Sequence, residues 1–105
     1  MCRGEVRWHL FSAPDKRRPV LILTRKEVID SLNEVIVVPV THTIRGLATE
    51  VLLSGEDGMP TVCVLNFDHI GLAQRSRIGQ LLAVLPQNRW REVKCALLCA
   101  CGFRC

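Results

Sequence analysis

Tyrosine is missing from this 105-residue chain, and aromatic residues make up only 5% of it, so few rings are on hand to stack against planar ligands. No stretch approaches the roughly 18 consecutive apolar residues that a bilayer-spanning helix requires. The start, Met1-Cys2-Arg3-Gly4-Glu5-Val6, has no apolar run leading to a small-residue cleavage site. The chain therefore reads as cytoplasmic, with no membrane partner. It has no internal repeat, no low-complexity segment and no linker long enough to separate domains, which leaves one domain over residues 1–105. The six cysteines lack the paired Cys-x-x-Cys spacing of common zinc sites, and without an export signal they are expected as reduced thiols. Neither a metal nor a cofactor is expected.

What is present is positive charge. The formal net charge is +4, and the basic residues are mostly arginine, which favours bidentate contact with phosphate or carboxylate over diffuse solubilising charge. An anionic partner follows, and charge alone does not choose between RNA, DNA and an acidic peptide. The most telling stretch is Lys16-Arg17-Arg18-Pro19-Val20-Leu21-Ile22-Leu23. Proline fixes its own φ and biases the residue before it toward extended backbone. Arg18 is thus expected at the start of an apolar strand, its guanidinium held in a defined direction and suited to a phosphate.

Around that strand the sequence reads as many short β segments. Glu5 to Phe11 alternates as a first strand, Ser12 to Lys16 forms a turn, and Arg18 to Leu23 returns as the second arm of a hairpin. A short helix is expected over Arg25 to Leu32 with Thr24 as its N-cap. The β-branched run Val35 to Val40 predicts a strand buried near its middle and loosened at Pro39, ending in Thr41-His42-Thr43. Strands follow at Glu50 to Leu53, Thr61 to Asn66 and Gly79 to Leu85, with a loop over Ser54 to Pro60. After Pro86, the residues Trp90, Val93, Leu97 and Ala100 share one helical face, with Gly102 at its stop. Six strands closed by one helix predict a small, mainly β barrel.

In order and spacing, Arg3-Gly4-Glu5-Val6, Arg18-Pro19-Val20-Leu21-Ile22-Leu23, Val37-Val38-Pro39-Val40-Thr41 and Val62-Cys63-Val64-Leu65-Asn66-Phe67-Asp68 together resemble the MazF/PemK family of toxins. The resemblance covers nearly the whole chain. It implies an SH3-like barrel of the CcdB/PemK type with a short inserted helix and a carboxy-terminal helix, acting as a homodimer. It further implies cleavage of single-stranded RNA without a metal, and neutralisation by a cognate antitoxin whose acidic carboxy-terminal segment lies over the active groove. The family's catalytic arginine falls on Arg18 and its catalytic threonine on Thr41. A guanidinium and a hydroxyl suit this chemistry, because attack of a ribose 2′-hydroxyl on its phosphodiester piles negative charge onto the phosphoryl oxygens.

The acid and base are less directly marked. One branch of the family carries Arg-x-Asp where this chain reads Asn66-Phe67-Asp68. Asp68 is a candidate base, while Asn66 donates hydrogen bonds and transfers no proton. His42 is a second candidate, although strand alternation would point it away from Thr41 unless the chain turns there. His69 stands beside Asp68. Arg17, Arg45, Asn66, His69, Arg75 and Arg77 are the expected RNA contacts, most of them to the sequence-blind backbone. Trp8, Phe11 and Phe67 are available for base stacking, with core packing the stronger expectation for each. The loop from Ser12 to Arg17 is shorter than in many relatives, which implies a more open cleft and leaves the RNA preference undefined. Two other readings stay open. CcdB toxins share this barrel and bind gyrase, though they depend on apolar residues at the end of the last helix, where this chain has cysteines. A catalytically silent RNA- or antitoxin-binding module is the other, kept open by Asn66.

Overall fold

The computed structural model describes residues 1–10 and 16–105; Phe11 and most of the turn expected over Ser12 to Lys16 lie outside the described residues. Among the described residues seven antiparallel strands form one continuous curled sheet: β1 (Glu5–Leu10), β2 (Arg17–Ile22), β3 (Glu34–Thr41), β4 (Glu50–Leu53), β5 (Cys63–Asn66), β6 (Gly71–Gln74) and β7 (Ile78–Val84). Two α-helices, α1 (Lys26–Ile29) and α2 (Trp90–Ala100), and four short 3-10 turns complete the described residues. The sheet runs β4-β5-β3-β2-β1-β7, with β6 also on β3. The mainly β fold closed by a carboxy-terminal helix is therefore as expected.

β3 organises the sheet. One of its edges pairs with β2, while the other is divided between β6, alongside Glu34 to Val37, and β5, alongside Val40 and Thr41. Pro39 falls between those two partners. A residue with no N–H to donate suits the point where a strand changes neighbours. Because side chains alternate, β2 and β3 feed two cores. Leu21, Val38 and Val40 join Val6, Leu65, Phe67 and the α2 residues Val93 and Ala96. Val20, Ile22, Val35 and Val37 pack with Ile29 and Ala73 on the other side. Full burial of each of the valine, leucine, isoleucine and phenylalanine side chains stabilises the fold by about 1.5–3 kcal/mol.

Two contacts anchor α2. Arg89, just before it, donates to the buried carboxylate of Asp57 at 2.7 Å and to the carbonyl of Leu52 at 2.6 Å. Gly4 adopts φ +95, and a Cβ there would meet the Trp90 ring at 2.9 Å, so only glycine passes this point.

Several expectations need correction. Thr24 does not cap a helix: its Oγ1 accepts the Ile36 N–H at 2.7 Å and so extends the pairing of β2 with β3. The helix stops at Ile29, which alone among its residues is buried, and Leu32 remains exposed. The strand placed at Thr61 begins at Cys63, since Thr61 and Val62 face solvent. β6 is an addition to the expected strands, because Gly-Leu-Ala-Gln buries only Ala73 and shows no alternating pattern. The cysteines are not all reduced: Gly102, at φ +83, turns the chain back after α2, and Cys95 is joined to Cys105 across a Cα separation of 4.8 Å.

Candidate active site

The β2–β3 register places the two leading residues together. Val20 opposes Pro39, and continuing the ladder by two residues toward the strand ends sets Arg18 opposite Thr41 on the same face. Across β1, Arg18 opposes His9. The Arg18 guanidinium is exposed and makes no ion pair or hydrogen bond among the described residues. It is therefore available to a ligand.

Two grooves meet at this point. The larger, about 470 Å³, is lined by Arg17, Arg18, Thr41, His42 and Thr43, with Trp8, Pro60 and Thr61 on its walls. The smaller, about 160 Å³, is lined by Arg18, Thr41, Thr43, Arg45, Asn66 and His69. Arg18, Thr41 and Thr43 are common to both. Among the described residues neither lining includes a carboxylate, while three arginines contribute, so these residues together favour an anion.

Local turns deliver the remaining groups. The Thr41 Oγ1 accepts the Thr43 N–H at 3.2 Å, which bends the chain just after β3 and carries His42 into the cleft despite strand alternation. That contact uses one of the two lone pairs on the oxygen, and the Thr41 hydroxyl hydrogen donates to none of the described residues, so it is open to a ligand. His42 Nδ1 lies 3.4 Å from the Val62 carbonyl oxygen. A second turn, a single 3-10 turn over Phe67–His69, separates four consecutive residues. Asn66 and His69 reach the smaller groove, Phe67 enters the core, and Asp68 faces elsewhere. The Asn66 Oδ1 accepts the Asp68 N–H at 3.0 Å, and its Nδ2 lies 3.3 Å from His69 Nδ1.

Not every candidate arrives. Asp68 accepts the Thr49 hydroxyl at 2.7 Å and lines a different, mainly apolar cavity of about 650 Å³ beneath α2, with Trp90, Leu97 and Lys94. That cavity is the larger one, but it holds neither Arg18 nor Thr41. Arg75 donates to the carbonyls of Asp30, at 2.6 Å, and Ile29, and so fastens the end of α1. Arg77 bonds to Gln74 Oε1 at 3.4 Å. Neither arginine lines the cleft. Arg17, by contrast, lies over the Trp8 ring at 4.5 Å on the groove wall. Trp8 thus presents a stacked guanidinium to the groove instead of a wholly buried ring.

Burial first, and the charge of Arg77 second, hold His9 below its ordinary value of 6.5. Burial, helped by Asp57, pushes the Cys63 thiol up, which makes it a poor nucleophile although it touches the groove. Thr43 and Thr61 escaped the reading of the sequence. For Thr43 the available signal is its place two residues after Thr41 at a strand exit; Thr61, in an exposed loop, has none.

Residues 2–99 match the family described as PemK-like, MazF-like toxin of type II toxin-antitoxin system. The chain is 40% identical over 93 residues to the probable endoribonuclease MazF2 of Mycobacterium tuberculosis, covering 88% of this chain and 89% of that protein. It is 38% identical over 96 residues to the probable endoribonuclease MazF5 of the same organism, covering 90% and 87% respectively. Its fold superposes on the Mycobacterium tuberculosis toxin MazF-mt6 with a TM-score of 0.87 at 31% identity, over 96% of this chain and 99% of that one. A MazE-MazF crystal structure from Deinococcus radiodurans gives a TM-score of 0.78 at 30% identity, over 98% and 96%. On sequence and on fold alike, the chain belongs to the PemK-like, MazF-like toxins of type II toxin-antitoxin systems.

Proposed function

We propose that this toxin is an endoribonuclease that cuts single-stranded RNA by attack of a ribose 2′-hydroxyl on the adjoining phosphodiester, leaving a 2′,3′-cyclic phosphate and a 5′-hydroxyl. The observation that carries the reading is the Arg18 guanidinium, without an ion pair or hydrogen bond among the described residues, together with the Thr41 hydroxyl at the junction of two grooves to which no described carboxylate contributes. A scissile phosphate seated there receives two donors as its oxygens gain charge. Each such donor is worth about 100-fold to 1,000-fold in rate. The grooves on either side give the strand an entry and an exit, with Arg17 and Arg45 supplying salt-dependent contact to the flanking phosphates.

The chemistry asks nothing of a metal, because the nucleophile is intramolecular and the charge is met by Arg18 and Thr41. The curated relatives named as endoribonucleases support the activity, and the MazE-MazF pairing in the Deinococcus radiodurans structure supports control by an antitoxin. An acidic antitoxin segment folding over Arg18 would occupy the phosphate position and block the cleft sterically. The chain acts as a homodimer on this reading, as the family resemblance implies.

The test is incubation with mixed-sequence single-stranded RNA in excess chelator, with mapping of the cut sites and end groups. Cuts at a defined sequence, cyclic phosphate ends, and abolition by a single 2′-deoxy substitution at the mapped site are expected. Cleavage that survives that substitution, or that stops on chelation, would refute the mechanism.

A further inference from the structure

The contacts of the two imidazoles that share these grooves with Arg18 favour opposite tautomers of the neutral rings. A carbonyl oxygen can only accept, so the contact of His42 Nδ1 with the Val62 oxygen puts the hydrogen on Nδ1 and leaves the lone pair on Nε2. For His69 the logic reverses. The Asp68 N–H can only donate, which fixes Asn66 with Oδ1 toward Asp68 and Nδ2 toward His69. The His69 Nδ1 therefore accepts, and its hydrogen sits on Nε2. One ring offers a bare nitrogen and the other an N–H, in separate grooves that join at Arg18, Thr41 and Thr43.

An in-line displacement at phosphorus places the attacking and departing oxygens on opposite sides of the phosphoryl group. A site spanning that displacement needs an acceptor on one flank and a donor on the other. Resting on the endoribonuclease reading above, we infer that His42 Nε2 is the general base for the 2′-hydroxyl and that His69 Nε2–H is the donor to the departing 5′-oxygen. Asn66 is the positioning residue that sets the His69 tautomer.

The O2′–P bond forms as the 2′-hydroxyl proton passes to His42 Nε2, and the P–O5′ bond breaks with its electron pair leaving on O5′. That oxygen, hydrogen-bonded by His69, takes a proton from solvent water. The hydroxide so formed is neutralised by the proton that His42 then releases.

The experiment uses an oligonucleotide spanning a mapped cut site, made once with the natural 5′-oxygen and once with sulfur in its place at the scissile bond, because a thiolate departs without help. His69→Ala is expected to slow the oxygen substrate by about 100-fold and the sulfur substrate by less than about fivefold. His42→Ala should slow both by about 100-fold. The ¹⁵N NMR signals of the two rings should report hydrogen on Nδ1 of His42 and on Nε2 of His69, and Asn66→Asp should move the His69 hydrogen to Nδ1. Equal slowing of both substrates by His69→Ala, an unchanged rate for His42→Ala, or identical tautomers would overturn the pair. In each of those cases a wild type that still cuts RNA leaves the proposed function standing, whereas a wild type that cuts nothing removes both.

Discussion

Replacing Thr41 by valine separates the catalytic duty of one hydroxyl from its structural duty. Valine keeps the β-branched shape at the end of β3 and removes only the polar group. The lost Oγ1 acceptance of the Thr43 N–H is a single half-exposed hydrogen bond, worth about 0.5–1.5 kcal/mol. For a domain of this size that lowers the melting temperature by roughly 4–8 °C for each kcal/mol. The lost donation to the phosphoryl oxygens costs more, about 2.7–4 kcal/mol of transition-state stabilisation, or 100-fold to 1,000-fold. Single-turnover cleavage measured well below the melting transition reads the second effect, and a thermal melt reads the first. Thr41→Ser retains both hydrogen-bonding roles and should recover most of the rate. A valine variant within about threefold of wild type, a barrier change of only ~0.7 kcal/mol, would reduce Thr41 to a strand residue.

Other consequences follow from contacts outside the cleft. Arg89→Ala strands the buried Asp57 carboxylate and should destabilise the fold by about 3–5 kcal/mol in urea denaturation, and a loss below about 1 kcal/mol would contradict the pairing. Gly4→Ala forces a side chain into left-handed backbone and against Trp90, costing at least about 1–2 kcal/mol and shifting the Trp90 environment, which tryptophan fluorescence would report. His9 makes stability fall in acid. Its folded value lies below 6.5, so beneath that pH the unfolded chain takes up a proton that the native ring refuses. Stability from this source is complete above 6.5 and is lost as the pH falls from there toward the lowered native value. His9→Gln should flatten that decline in urea midpoints measured across the interval, and an unaltered slope would sink the assignment.

The features of this molecule legible in its sequence are those encoded locally. The Arg18-Pro19 junction, the β-branched run of β3 and the apolar stripe of α2 each carry their own signal, and Arg18 and Thr41 fall into register once β2 pairs with β3. What escaped depends on turns and on partners distant along the chain. β6 exists because β3 offers it an edge, and nothing in Gly-Leu-Ala-Gln announces it. Strand alternation would have sent His42 away from Thr41, but the Thr41 hydroxyl folds the chain at that residue and reverses the outcome. Asn66, Phe67, Asp68 and His69 are adjacent in sequence, and one 3-10 turn distributes them among the cleft, the core and a separate cavity. The family's Arg-x-Asp pattern put Asp68 forward as a base, and here its carboxylate takes the Thr49 hydroxyl and lines the cavity beneath α2. Arg75 looked like a loop cation facing phosphate until the carbonyls at the end of α1 supplied it with partners.

The central claim is that Arg18 neutralises a scissile phosphate. It is tested most directly by comparing wild type with Arg18→Ala on one mapped RNA site under single-turnover conditions in excess chelator, with melting curves taken alongside. The side chain is exposed and carries no ion pair or hydrogen bond among the described residues, so the melting curves should coincide while the cleavage rate falls by at least about 100-fold. Undiminished cleavage by the alanine variant would contradict the account.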